Sequence, residues 1–339
     1  LIDCADAVRR VGFAAPAAEV GMETMGMRGR GTWGIGFIAM VMVAATLGLS
    51  GCSLFTPARS EVEREQVSAK IDGSALVQEG VLTVALDFSD APQGMVASDG
   101  TVTGYDTDVA RALASNLGLS VAFVDAASPS DVLANGTADV YVGASSTDSS
   151  DAVTVFGDCL EDAPALFAGK AVSTVTASSL ADMVVGVQGS SAAQDALNKA
   201  GIVGEQRTYS NVNECFEALA AGEVDCVACD ATAGAYLARA YEGVTFSGTL
   251  DAVTVYGVAA ASSNSAVVEA VSAALEEVSS SGALSAAHAA WYGSLPLVLS
   301  DAALPGVTIT LPDSALAGDR AAAEGSLIDS DVDINELNG

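Results

Sequence analysis

Residues able to do chemistry on their own are few in this chain. His288 is the only histidine among 339 residues; it falls in an alanine-rich helical pattern beside Trp291, where a surface position is expected. A Ser-His-Asp relay would have to use it, yet nothing in the sequence reads as a nucleophile elbow. Cys226 and Cys229 form a C-x-x-C pair, but on an expected strand, so they lack the helix N-terminus that makes such thiols reactive. Zinc would require a second ligand pair at suitable spacing. No metal, no cofactor and no catalytic residue is expected, and Tyr105, Phe123, Phe216 and Trp291 fall at core-like spacings.

The sequence also carries an export pattern. Arg28 and Arg30 precede an uncharged run from Gly31 to Gly51, a basic segment followed by an apolar one. The run ends in Leu49-Ser50-Gly51-Cys52, which resembles a bacterial lipobox: an aliphatic residue, two small residues, then a cysteine whose thiol takes lipid. Cys52 is therefore the expected lipidation site and mature N-terminus, anchored stably by two or three acyl chains. A single transmembrane anchor is the other reading, since the run approaches the ~20 residues a spanning helix needs. Either places the following chain outside the cytoplasm, at the cell membrane. Residues 1–26, with Cys4, lie upstream of this complete signal, and Met22, Met25 and Met27 are candidate starts. In that compartment disulfides are permitted, and Cys159, Cys215, Cys226 and Cys229 could form one or two, with three connectivities open, or remain buried thiols.

Composition sets the class. Half the residues are apolar, enough for a large core. Thirteen basic residues stand against forty-three acidic ones, a net charge of −30. Only Arg111, Lys170, Lys199, Arg207 and Arg239 fall between Ser74 and Gly293, so the clustered cations that nucleic acid requires are missing and no nucleic-acid partner is expected.

Strand and helix patterns alternate from Val81 onward, which predicts α/β layers with a largely parallel sheet. A first unit has strands at Val81–Leu86, Val121–Val124 and Asp139–Val142; a second has them at Val184–Val187, Gln206–Tyr209 and Val224–Ala228. The units share a phrase. Leu133 to Asp139 and Leu219 to Asp225 carry Leu, Ala, Gly and Asp at the same offsets, with glycine ending a helix through a left-handed turn and aspartate opening a strand. Extended stretches at 163–176 and 248–260 would cross between two lobes, making a hinge and a cleft of the kind ligands favour. The expected organisation is an upstream segment and signal at 1–51, a tether at 52–73, a first lobe at 74–165 and 253–300, a second lobe at 166–252, and an acidic extension at 301–339 packed partly on the first lobe.

Together these residues resemble the family 3 amino-acid-binding proteins of ABC transporters, which have the type II periplasmic-binding fold. Four pieces carry the resemblance: Gly104-Tyr105-Asp106-Thr107-Asp108-Val109-Ala110, in which Asp106 would cap the first long helix; Leu133 to Asp139; Gly186-Val187-Gln188-Gly189-Ser190-Ser191; and Leu219 to Asp230 followed by Tyr256-Gly257-Val258 and Trp291-Tyr292-Gly293. The resemblance implies a two-lobed α/β protein, hinged by two crossover strands, that captures an amino acid or related small polar solute by closure and delivers it to an ABC permease. Its ligand site would comprise Asp230 for the ammonium, the helix-opening N–H groups of Gly189, Ser190 and Ser191 for the carboxylate, hydroxyl and backbone contacts from Ser145, Ser146 and Thr147, Asp87, and Phe88 walling the side-chain pocket. Two departures bear on specificity. Asp148, Ser149, Ser150 and Asp151 stand where the family places a carboxylate-clamping arginine, and the Pro-Pro-Phe phrase after the first strand is eroded to Ala91-Pro92-Gln93-Gly94-Met95. With Asp87, Asp90, Asp148 and Asp230 near the expected cleft, a cationic or carboxylate-poor ligand becomes an alternative to a standard α-amino acid. A dehydratase-like enzyme on the same fold and a sensor or receptor module are the other two functional readings.

Overall fold

The computed structural model describes residues 68–309, except 173 and 203. The expected signal segment, Cys52, most of the tether and the chain from 310 onward lie outside the described residues. Among the described residues no helix is long and apolar enough to cross a membrane.

In chain order the elements are β1 (Val81–Leu86), β2 (Met95–Val96), β3 (Val102–Thr103), α1 (Tyr105–Leu117), β4 (Ser120–Asp125), α2 (Pro129–Leu133), β5 (Val140–Ser145), β6 (Val153–Asp162), β7 (Pro164–Ala168), β8 (Val184–Gln188), α3 (Ala192–Lys199), β9 (Glu205–Tyr209), α4 (Val212–Ala221), β10 (Cys226–Asp230), α5 (Ala231–Ala238), β11 (Thr245–Thr249), β12 (Thr254–Ala261), α6 (Ser265–Ser280) and α7 (Ala283–Tyr292). They build two five-stranded sheets, ordered β4-β1-β5-β12-β6 and β11-β7-β10-β8-β9. In the first, β4, β1 and β5 are parallel while β12 runs antiparallel to β5 and β6. In the second, β9, β8 and β10 are parallel and β7 runs antiparallel to β10 and β11. The chain passes from one sheet to the other between β6 and β7, across Ala163, and returns between β11 and β12.

Burial follows from the pattern. β1 and β5 are buried along nearly their whole length, as central parallel strands covered on both faces must be. Helix α1 packs on α6 and α7 with Tyr105, Val109, Leu113 and Leu117 buried, each large apolar side chain contributing roughly 1.5–3 kcal/mol. In the second lobe Phe167 packs against Phe216 and Phe246 at ring separations of 6.0 and 5.8 Å.

The repeated phrase has one structural role in both lobes. Gly136 and Gly222 take left-handed φ values of 64° and 73°, and each following aspartate ties its strand to the neighbouring parallel strand, β1 or β8. Asp139 donates its N–H to Thr83 O (2.8 Å) and accepts from the N–H groups of Thr83 and Val77, both at 2.7 Å. Asp225 donates to Val184 O (2.8 Å) and accepts from Val184 N–H at 2.8 Å.

One expectation is corrected and two are made specific. The four cysteines are free and buried, so no disulfide forms among them: Cys226 and Cys229, three apart on β10, point to opposite faces, into separate apolar clusters. His288 is not a surface residue; it is buried edge-on to Tyr292 at 5.1 Å, and burial lowers its pKa. The segment after α7 touches both sheets. Leu299 donates its N–H to Glu161 at 2.6 Å, Ala303 pairs with Thr249, and Pro305 O accepts from Ala177 at 2.9 Å, so this stretch runs along the hinge onto the second sheet.

Candidate functional site

A cavity of about 320 Å³ opens between the lobes. Its chemistry comes from Asp90 and Gln93 in the loop after β1, Asp106 in the first turn of α1, Asp162 at the end of β6, Asp230 at the end of β10, Thr232 in α5 and Tyr256 in β12. Both lobes and one hinge strand thus contribute.

Local sequence explains how Asp106 arrives there. Gly104 precedes α1 with φ 138° and provides no side-chain cap; a Cβ at this position would lie 2.0 Å from Gln93 O. That close approach lets the first N–H groups of the helix, those of Tyr105 and Asp106, donate to Pro92 O (3.2 Å) and Gln93 O (3.1 Å). Loop carbonyls therefore satisfy donors that a helix start leaves open, and the Asp90–Gln93 loop is held beside Asp106. The expectation that Asp106 caps the helix is corrected accordingly. Its side chain points into the cavity instead, only 6 % exposed, above Gly143, where a Cβ would stand 2.5 Å from its Oδ2. No hydrogen-bond donor among the described residues supports this carboxylate. Burial, aided by the charge of Asp90, pushes its pKa up to about 7.

The other carboxylates differ in support. Asp162 accepts from the N–H groups of Ala163 (2.8 Å) and Thr232 (3.1 Å) and from the Thr232 hydroxyl; burial outweighs these bonds and raises its pKa to about 7. Gln93 Nε2 donates to Thr232 Oγ1 at 2.9 Å, which links the first lobe to the second through Asp162. The Gln93 side-chain oxygen, Oε1, is buried without a partner among the described residues. Asp90 and Asp230 line the cavity without side-chain donors among the described residues, and desolvation comes first among the causes raising both pKa values.

Among the described residues no lysine or arginine lines the cavity. The six basic residues of the described chain are engaged elsewhere: Lys70 with Glu277, Arg111 with Asp108, Lys170 with Glu242, Lys199 with Asp251, Arg207 with Glu205, and Arg239 with the carbonyls of Ala290 and Trp291 at the end of α7.

Of the residues expected in the site, Asp230 lines the cavity. The others lie around it. Asp87 accepts from Ser89 N–H and Oγ–H (2.7 and 2.6 Å), and its charge helps raise the pKa of Asp90. Phe88 packs against the apolar core and donates its N–H to Asp125 at 3.1 Å. Ser145, Ser146 and Thr147 form a tight turn closed by Asp148, whose carboxylate accepts the Ser145 N–H at 2.8 Å. Gly189 N–H donates to Tyr209 O (3.1 Å) and Ser190 N–H to Gln194 Oε1 (2.9 Å), while the Ser191 hydroxyl caps α3 through Gln194 N–H at 3.2 Å. The donors of Gly189 and Ser190, expected to be free, are thus already used. Ala192, the next residue, does reach the cavity.

Asp106, Asp162, Gln93, Thr232 and Tyr256 were not read as site residues. For Asp106 the available signal was the glycine two positions earlier, which makes it an inner helix residue rather than a cap. Asp162 had none, because its role depends on where the chain changes sheets.

Comparisons with known proteins agree with this architecture. The chain matches the solved structure of an "Ancestral Cationic Amino Acid Solute Binding Protein (AncCDT-1)" with TM-score 0.57 and 21% identity, over 65% of this chain and 99% of that one. It matches the L-cystine solute receptor of Neisseria gonorrhoeae, in the unliganded open conformation, with TM-score 0.56 and 20% identity over 65% and 95%. A polar amino acid ABC uptake transporter substrate binding protein from Streptococcus thermophilus matches with TM-score 0.59 and 19% identity over 69% and 95%. At these identities the likeness establishes the fold, the two-lobed type II periplasmic-binding fold. Comparison with curated proteins gave no match. Residues 82–294 fit the family described as "Bacterial extracellular solute-binding proteins, family 3", and the chain belongs to that family.

Proposed function

We propose that this protein is an extracytoplasmic, lipid-anchored binding protein of an ABC transporter. It captures an amino acid or related small polar, amine-bearing solute between its lobes and hands it to the permease. The observation carrying this reading is the cavity itself, walled by both lobes and by the hinge strand at Asp162. Ligand first contacts one wall, and closure about the two crossings brings the other against it, a motion known for periplasmic binding proteins. Asp230 on the second lobe would receive an ammonium that Asp90 and Asp106 hold from the first, a reading supported by all three lining the cavity. Thr232 and Gln93 already meet across the cleft and would tighten as it closes. Cys52 would carry the lipid that keeps the protein at the membrane.

A thermal-shift screen of the full chain against amino acids and small amines tests this, because a ligand that binds only the folded state raises stability as RT ln(1 + [L]/Kd). A saturable shift, lost in Asp230→Ala, is expected; no shift with any amine or amino acid would contradict the proposal. A dehydratase-like enzyme is the second reading, since Asp106 and Asp162, with pKa values raised to about 7, could serve as general acids. Turnover of a bound cyclic acid would favour it.

A further inference from the structure

Resting on the proposed binding role, we infer that the ligand class is a small amine bearing two or more positive charges and no carboxylate. Two independent sets of observations meet here.

The first concerns what the cavity lacks a partner for. Asp106 is nine-tenths buried, faces the cavity and has no donor among the described residues. A buried carboxylate left in that state is costly, and Gly143 is shaped to keep it there. Asp90 and Asp230 add two further carboxylates without side-chain donors on facing walls. An ammonium carries three donors and no acceptor, so one charged amine satisfies Asp106 and Asp90, and a second meets Asp230 across the cleft.

The second concerns where a ligand carboxylate could go. In the two chain segments suited to receive one, the N–H groups of Ser145, Gly189 and Ser190 are taken by the protein's own acceptors. At the turn after β5, the Asp148 carboxylate takes the Ser145 N–H and also accepts from the Ser145 hydroxyl at 3.2 Å. At the start of α3, Tyr209 O and Gln194 Oε1 take the N–H groups of Gly189 and Ser190. With no lysine or arginine on the lining, a carboxylate entering this cavity would meet four aspartates and no compensating cation.

The test compares two molecules that differ only by a carboxylate, 1,4-diaminobutane and L-ornithine, by isothermal titration calorimetry with the full chain, with L-glutamine as a third ligand. The inference expects 1,4-diaminobutane to bind at least tenfold more tightly than ornithine, and Asp106→Asn and Asp230→Asn each to weaken it tenfold or more while keeping the native circular dichroism spectrum. Ornithine binding as tightly as the diamine, or more so, would overturn the inference and leave the binding role intact, as would glutamine binding with no response to the diamine. Silence from all three would overturn both.

Discussion

Asp139 in the first lobe and Asp225 in the second occupy the same place in the same structural step, yet they live in different surroundings. Asp139 is 5 % exposed and holds two backbone N–H groups; Asp225 is exposed and holds one. The same asymmetry extends to the cleft. The first lobe offers Asp106, buried and fixed above Gly143, whereas the second offers Asp230, open to water. A local device can therefore be repeated in two halves of a molecule while the carboxylates of those halves differ in burial and support.

Replacing the paired aspartates puts this contrast to the test most strongly. Asp139→Ala removes two hydrogen bonds to a buried carboxylate and should cost about 3 kcal/mol, and Asp225→Ala about 1 kcal/mol, in urea unfolding. Equal losses would erase the contrast. Gly143→Ala forces a side chain onto the Asp106 carboxylate at a left-handed φ of 93°; a loss of about 2 kcal/mol with weaker ligand binding is expected, whereas Gly222→Ala, where a Cβ meets nothing within 4 Å, should cost about 1 kcal/mol from its backbone alone. Smaller still, Asn211→Ala removes the cap that accepts Glu214 N–H at 3.0 Å at the start of α4 and should cost about 1 kcal/mol or less.

Proton linkage sharpens the comparison further. Asp106 and Asp162 have folded pKa values raised from 3.8 to about 7, so between these limits the ligand-free folded state holds protons that the unfolded chain has released. Their contribution to stability is fully present below about pH 4 and is lost as pH rises through about 7. Asp106→Asn should therefore flatten the pH dependence of the melting temperature and raise it near neutrality. Asp90, Tyr105, Tyr141, Cys159 and Tyr292 interact electrostatically with Asp106, and burial keeps the three tyrosines and the thiol neutral at neutral pH. A cationic ligand selects the ionised carboxylates, so its affinity should rise with pH up to about 7, by up to about tenfold per pH unit for each proton released.

Much of this molecule was legible in its sequence, for reasons that are local. Alternating strand and helix periodicity, glycines at helix ends and the repeated Leu-to-Asp phrase predict two α/β units, and the glycines do take the left-handed conformation. The crossings were readable from their β-branched runs. The site was less so. Asp230 could be placed because a strand end is a sequence feature, but the acceptors that consume the Gly189 and Ser190 N–H groups, Tyr209 and Gln194, come from a neighbouring strand and from the following helix turn. The missing arginine was visible directly, and the aspartates it leaves uncompensated were only partly so. Asp162 and Thr232 are brought together by the hinge, and no spacing along the chain encodes that. His288 was misplaced because alanine-rich helix patterns do not reveal which face meets Tyr292.

Small-angle X-ray scattering of the full chain with and without saturating ligand, drawn from amino acids and small amines, tests the central claim of capture by lobe closure most directly. The account predicts a fall in the radius of gyration with the ligand that stabilises the fold, absent in Asp230→Ala. A ligand that binds and stabilises the protein while leaving the radius of gyration unchanged would contradict it.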